Sequence, residues 1–309
     1  MRLVRAVKIH VGPASSPELE QAVRDGGGEL APASEASAAV LFGAGPERFG
    51  EVDHPGLEWV QLPAAGVESW VESGALRDGV TFTSAAGCYA DTVAEHAFAL
   101  MLAGARKLHV EARADSWARP EGIGTLFGST VGIVGAGGIG RALIRLLEPF
   151  GARVLAVNRS GRPVDGAART SPAEDAAALR ELLSTSDFVV VAAPSTSATS
   201  QLIDERALAL MQPHAWLVNV ARGSLVDTDA LLRALAAERI GGAALDVTDP
   251  EPLPDGHPLF REPRALVSPH CANPPDLLVP ALARRVRENV QRWIAGRPLL
   301  AEIDPKAGY

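Results

Sequence analysis

At 309 residues, with 47% hydrophobic and 21% charged residues, the chain has room for two globular domains and is too apolar to be disordered. Its 29 basic and 37 acidic residues leave a net charge of −8, which argues against nucleic acid or an anionic membrane as a partner. Two cysteines in unrelated contexts, Cys88 and Cys271, offer neither a disulfide framework nor metal-ligand spacing, and fit a reduced, cytoplasmic protein. No apolar run reaches the roughly 18 residues of a membrane span. Residues 1–12 lack the apolar core and cleavage site of a secretory signal and read as a first strand.

In chain order, residues 4–9 predict a strand, and Ser15-Ser16-Pro17-Glu18 starts a helix with serine caps and proline in the first turn. Strands at 38–42, 57–62 and 80–83 alternate with helical or loop segments, the signature of an α/β domain with a parallel sheet. The loop Pro63-Ala64-Ala65-Gly66-Val67-Glu68 reads by itself as an ordinary strand-to-helix turn. The alternative is a nest of backbone amides able to hold a carboxylate. A helix from residue 91 or 92 to about 108 puts Val93, Ala97, Leu100, Met101 and Leu108 on one face, with Thr92 and Glu95 as a capping box. It reads as a spine connecting two domains. Residues 104–127 show no clear pattern, and Trp117 has no assignable role.

Further strands are predicted at 130–134, 153–157, 187–192, 215–220, 242–245 and 265–268. Helices fall at 138–150, 173–184, after Asp204, and at 228–238. Six strands with crossover helices make a doubly wound Rossmann sheet. Pro274-Pro275 then breaks the chain, and a last helix from 276 to about 295 is expected to return to the first domain. The fold expected is α/β with two Rossmann-like domains. A nucleotide-binding domain of residues 104–275 is inserted into a flavodoxin-like substrate domain of residues 1–103 and 276–309.

The centre of this arrangement is Gly135-Ala136-Gly137-Gly138-Ile139-Gly140, between a β-branched strand and an amphipathic helix. Gly135 permits the tight turn, Gly137 lets backbone approach a pyrophosphate, and Gly140 allows close helix–strand packing. The phosphates would meet the helix N-terminus near Gly138 and Ile139. The motif alone is weak; its strand–turn–helix context makes dinucleotide binding the better reading.

Three later segments, each at the carboxyl end of a strand, carry polar groups that a core would not choose. They are Asn219-Val220-Ala221-Arg222-Gly223-Ser224, Asp246 through Pro254, and Ser268-Pro269-His270-Cys271-Ala272-Asn273. Singly, Arg222, Glu251 and His270 are ordinary loop residues. Together they can hold a carboxylate bidentately, polarise a carbonyl, and exchange a proton through a histidine with a carboxylate partner. Beside a nicotinamide, these are the parts for reducing a 2-oxo acid.

These segments, with Gln61 through Glu68, Tyr89 through His96, the glycine motif and Pro194, resemble the D-2-hydroxyacid dehydrogenase family, and within it the glyoxylate/hydroxypyruvate reductase-like branch. The resemblance implies that Arg222 binds the substrate carboxylate and carbonyl. It makes His270 the general acid in reduction and pairs Glu251 with it. Backbone amides of Ala65, Gly66 and Val67 would hold the carboxylate. Asp246 would bond the nicotinamide carboxamide. Ala193, Pro194 and Thr199 would lie along the cofactor, with Val220, Ala221 and Ala272 also against it. Tyr89, with Leu62 and Trp117, is a candidate for the side-chain pocket. His96 matches the family pattern and is read as structural. A homodimer is implied, with a small 2-oxo or 2-hydroxy acid as the ligand and no metal.

Cofactor choice rests on a departure from the NAD fingerprint. Where an acidic residue usually meets the ribose 2′-OH, this chain has Asn158-Arg159-Ser160-Gly161-Arg162. Asn158 does not repel a 2′-phosphate, Arg159 can pair with it, Ser160 can donate to it and Arg162 can add to the pocket. NADP(H) is expected to be preferred over NAD(H). The alternative leaves Arg159 solvated and Asn158 on the 2′-OH. The function expected is an NADPH-dependent reductase of glyoxylate, hydroxypyruvate or a similar 2-oxo acid. The other readings are an NAD-dependent phosphoglycerate dehydrogenase-like enzyme and a cofactor-sensing interaction protein on the same scaffold.

Overall fold

Short runs of consecutive apolar residues form the inner strands of two parallel sheets, whose crossover segments cover both faces. The computed structural model describes residues 7–117 and 119–305. The chain forms two compact units, Met1–Tyr89 with Pro274–Tyr309, and Ala90–Asn273.

In the first unit, β1 (Lys8–Pro13) leads into α1 (Pro17–Asp25). Ser16 caps that helix by accepting from the Leu19 amide at 3.4 Å, and Pro17 occupies its first turn. Of the strand expected at 4–9, residues 4–6 lie outside the described residues. β2 (Glu29–Leu30), β3 (Ala38–Phe42), β4 (Trp59–Gln61), α2 (Glu68–Glu72) and β5 (Thr81–Thr83) follow. The strand order β2-β1-β3-β4-β5 is flavodoxin-like. Phe49, Trp70 and Phe82 pack in its core in edge-on and tilted contacts, with ring centroids 5.5–6.2 Å apart.

The second unit opens with α3 (Ala90–Ala105) and α4 (Leu108–Glu111). It continues through β6 (Thr130–Val134), α5 (Gly138–Leu147), β7 (Arg153–Asn158), β8 (Arg169–Pro172), α6 (Ala176–Thr185), β9 (Phe188–Val191), α7 (Glu205–Leu210), β10 (Trp216–Asn219), α8 (Thr228–Ala236), β11 (Gly242–Leu245) and β12 (Ala265–Val267). The sheet has seven strands in the order β12-β11-β10-β9-β6-β7-β8. This is the doubly wound pattern with one strand more than expected. The extra strand is β8, a polar edge strand with no apolar run to announce it. Asp175, Asp204 and Asp227 each accept from amides in the first turn of α6, α7 and α8, and so fix where those helices begin.

Two expectations shift. The first unit ends at Tyr89, whereas residue 103 was expected, because α3 buries Ala94, Ala97, Leu100 and Met101 in one cluster with Leu143, Trp216 and Val218. α3 also begins at Ala90, so Thr92 stands inside the helix and does not cap it. The Thr92 hydroxyl donates to Asn273 Oδ1 at 3.2 Å.

After residue 273 the chain returns to the first unit as α9 (Pro275–Ile294), which packs on α1 and buries Leu282, Val286 and Val290 completely. The fully buried Asn289 joins this helix to the sheet. Its Nδ2 donates to Gln61 Oε1 at 2.9 Å, and its Oδ1 accepts from the Leu300 amide at 2.8 Å. Among the described residues, no helix is long and apolar enough to cross a membrane.

Candidate active site

The glycine motif joins β6 to α5. Gly135 has a φ of +97°, and a Cβ there would collide with the Ala193 backbone, so this position is closed to other residues. A Cβ on Gly140 would stand 3.1 Å from Ile133 Cγ2, the close helix–strand contact expected. Gly137 differs: a Cβ there would meet nothing within 4 Å. Internal packing does not require that glycine, whereas a ligand approaching the backbone does. The amides of Gly138, Ile139 and Gly140 stand in the first turn of α5, where no acceptor exists within the helix. The cradle therefore fits a dinucleotide pyrophosphate.

At the end of β7 the Asn158 side chain is engaged within its own loop. Its Nδ2 donates to Arg162 O at 2.9 Å, and its Oδ1 accepts from the Ser160 hydroxyl at 3.4 Å. Ser160 Oγ in turn accepts from the Arg162 amide at 3.4 Å. Asn158 thus organises a turn whose exposed positions are Arg159, Ser160 and Arg162. After β9, Thr199 closes a second loop by donating to Pro194 O at 2.7 Å. Ser195 there meets Ser224 at 2.9 Å, tying this loop to the one that carries Arg222.

β10 ends in the fully buried Asn219, which shapes the Arg222 turn. Its Oδ1 accepts from the Ala221 amide at 3.1 Å and its Nδ2 donates to Arg222 O at 2.9 Å. Val220 and Ala221 are buried, and Arg222 is half-buried with Nη1 donating to Ala221 O at 2.7 Å. A Cβ on Gly223 would collide with the Thr248 carbonyl. That glycine lets the Arg222 turn lie against the loop that bears Glu251.

His270 and Glu251 meet as expected, with Nδ1 and Oε1 2.6 Å apart. His270 has a φ of +49°, a left-handed conformation uncommon for a residue with a Cβ. It is held there because its amide donates to Asp246 O at 2.8 Å. Asp246 also clamps the following residues, accepting from the Cys271 amide at 3.0 Å and the Ala272 amide at 3.1 Å. A cavity of about 460 Å³ opens beside Asp246, Glu251 and His270, lined also by Leu253, Phe260 and Val267.

Two residues that the sequence reading leaves outside the site belong to this cluster. Ser268 Oγ donates to Asp246 Oδ1 at 2.6 Å, and His96 Nε2 lies 3.0 Å from Ser268 Oγ and 3.2 Å from Asp246 Oδ1. His96 is spaced three from Val93 and four from Leu100, on the inward face of α3, and that spacing is the signal that points to it. Burial alone would raise the Asp246 carboxyl. Hydrogen bonds from His96, Ser268 and the two amides outweigh it and hold the group well below the usual carboxylate range. The Cys271 thiol is pushed up by burial and by the Asp246 charge.

In the first unit, Ala65, Gly66 and Val67 lie between β4 and α2. Ala65 is exposed, Gly66 half-buried, and Val67 buried at the start of the helix. Tyr89, expected to line a pocket, is buried and donates its hydroxyl to Pro63 O at 2.6 Å, so it steadies that loop. Burial pushes the Tyr89 hydroxyl pKa far up. Trp117, in the second unit, is fully exposed.

Residues 98–272 match the family described as D-isomer specific 2-hydroxyacid dehydrogenase, NAD binding domain. An uncharacterised protein from the proB 3′ region of Corynebacterium melassecola is 39% identical, over 89% of this chain and 97% of that one. The glyoxylate reductase of Thermococcus gammatolerans is 38% identical, over 71% of this chain and 68% of that one. A D-isomer specific 2-hydroxyacid dehydrogenase from Xanthobacter autotrophicus Py2, solved with NADPH and MES, superposes with a TM-score of 0.84 at 28% identity, covering 99% of this chain and all of that one. With a nucleotide cradle and an arginine, a glutamate–histidine pair and a buried aspartate on successive strand ends, this chain belongs to the D-2-hydroxyacid dehydrogenase family of NAD(P)-dependent oxidoreductases, which act on the CH–OH group of D-2-hydroxy acids.

Proposed function

We propose that the chain is an NADPH-preferring reductase of small 2-oxo acids such as glyoxylate or hydroxypyruvate. The observation that carries this reading is the 2.6 Å His270–Glu251 contact on the loops next to Arg222. Gly135 through Gly140 would hold the pyrophosphate, Arg159, Ser160 and Arg162 the 2′-phosphate, and Asp246 the carboxamide. When bound, the nicotinamide supplies a hydride to the substrate carbonyl carbon. Arg222 binds the carboxylate and draws electron density toward the carbonyl oxygen, with the amides of Ala65 to Val67 as further donors to the carboxylate. His270 gives a proton to that oxygen as it becomes an alkoxide. Glu251 accepts from Nδ1, which fixes the ring so that Nε2 is the nitrogen that delivers the proton.

Asn158, uncharged and engaged within its own loop, supports NADP(H), since it sets no negative charge at the end of β7 to repel a 2′-phosphate. The reading includes a cytoplasmic homodimer, supported by two free cysteines and by exposed Leu108, Val110, Trp117, Ile123 and Phe127 in one stretch. Sedimentation at micromolar concentration tests the dimer. The function is tested with a panel of glyoxylate, hydroxypyruvate, 3-phosphohydroxypyruvate and larger 2-oxo acids, followed by loss of NADPH absorbance. Turnover of a small unphosphorylated 2-oxo acid with NADPH is expected. Turnover confined to the phosphorylated substrate with NADH, or none at all, refutes the reading.

A further inference from the structure

Asp246 has an asymmetric set of donors. Ser268 has one hydroxyl hydrogen and gives it to Oδ1 at 2.6 Å, so its oxygen can only accept from His96 Nε2 at 3.0 Å. His96 Nε2 therefore carries a hydrogen, which it shares with Asp246 Oδ1 at 3.2 Å. Oδ1 thus receives Ser268, His96 and the Cys271 amide, while Oδ2 receives the Ala272 amide, and the Cys271 thiol also bonds the carboxylate. A carboxylate oxygen has room for about two donors, so Oδ1, with three, is saturated and Oδ2 is the less occupied oxygen, the one able to accept another donor. The carboxylate is 2% exposed and lines the cavity that contains His270. The same donors keep it ionised, so it can only accept.

We infer that His96 is a positioning residue for the cofactor's carboxamide: with Ser268 it saturates Asp246 Oδ1, fixes the carboxylate rotation, and leaves Oδ2 as an edge that selects a ring substituent bearing an N–H. An amide satisfies that edge. A carboxylate is repelled by it, and a methyl ketone leaves it unpaired. The inference rests on the dehydrogenase reading and extends it to His96, a residue that touches no reacting atom.

The test is equilibrium binding by protein fluorescence, comparing NADPH with its reduced 3-acetylpyridine analogue, in which a methyl replaces the amide NH2. The adenosine, pyrophosphate and 2′-phosphate contacts cancel in the ratio of dissociation constants. Wild type is expected to favour NADPH by roughly tenfold or more, the weight of one hydrogen bond to a charged acceptor. His96→Phe, which keeps a ring but no donor, is expected to reduce that ratio to within about threefold of unity. His96→Gln, which restores an N–H, is expected to recover it. Should His96→Phe not fold, His96→Asn, too short to reach Oδ1, is expected to show the same loss.

A full ratio in His96→Phe, or in His96→Asn where His96→Phe does not fold, overturns the role of His96 and leaves Asp246 as the carboxamide's partner. A ratio near unity in wild type that still reduces 2-oxo acids overturns the inference through Asp246 and leaves the dehydrogenase standing. Wild type that neither binds NADPH nor turns over a 2-oxo acid removes both.

Discussion

The proposed preference for NADP(H) is expected to reverse at one side chain. Asn158→Asp removes the Nδ2 donor that holds Arg162 O at 2.9 Å and puts a negative charge at the end of β7. At about 5 Å and an effective dielectric constant of about 40, two unit charges repel by roughly 1.7 kcal/mol. A phosphate monoester carrying about −1.5 to −2 raises the penalty to about 3 kcal/mol, or a hundredfold in affinity. NADH gains where NADPH loses, because a carboxylate accepts from the ribose 2′-OH, a charge-assisted bond of about 1.5–3 kcal/mol. The ratio of kcat/KM for NADPH over NADH is therefore expected to fall by at least about two orders of magnitude. Initial rates at saturating 2-oxo acid measure it. An unchanged ratio, with the variant's melting temperature near wild type, would show that the turn after β7 does not receive the 2′-phosphate.

His270→Gln is expected to lower kcat by about 10²–10⁴-fold with NADPH binding little changed, because proton transfer matters only as the alkoxide forms. Near wild-type kcat would exclude His270 as the donor. Asn289→Leu leaves the Leu300 amide and one bond to Gln61 unmet in a fully buried site, and is expected to destabilise the first unit by about 2–4 kcal/mol in urea titrations. The folded-state pKa of Asp246 lies below its unfolded value, so its stabilisation is complete at neutral pH and is lost as pH falls below about 4. Urea midpoints measured from pH 6 to pH 2 are expected to decline more steeply in wild type than in Asp246→Asn.

The parts of this fold legible in the sequence are those whose pattern is set locally. The runs at 130–134 and 242–245 are strands with those bounds, since a parallel strand buried on both faces needs an unbroken apolar run. The aspartates at 175, 204 and 227 set helix starts, and Asp175 places the start of α6 at Ala176, three residues after the expected 173. What escaped depends on distant neighbours. β8, with the sequence Arg-Thr-Ser-Pro, is a strand because β7 lies beside it, and nothing in its own residues says so. The inward place of His96 on α3 is legible in its spacing, but its partners Asp246 and Ser268 lie far along the chain and are not. The loops that carry Glu251 and His270 follow the neighbouring strands β11 and β12, which strand order makes legible, whereas the pairing of the two residues comes from the family resemblance.

The return of α9 to the first unit governs the order in which the protein can be made. β1 through β5 leave the ribosome first, yet Leu282, Val286, Val290 and Asn289, which cover that sheet, leave it last. At about 5–20 residues per second, synthesis of the intervening segment takes roughly 10–40 s, during which the early strands and α1 lack the helix that completes their core. The segment Ala90–Asn273 is continuous and carries its own core, so it can fold as it emerges. A nascent chain stalled before α9 is therefore expected to hold a folded nucleotide-binding unit behind an unfinished, protease-sensitive sheet.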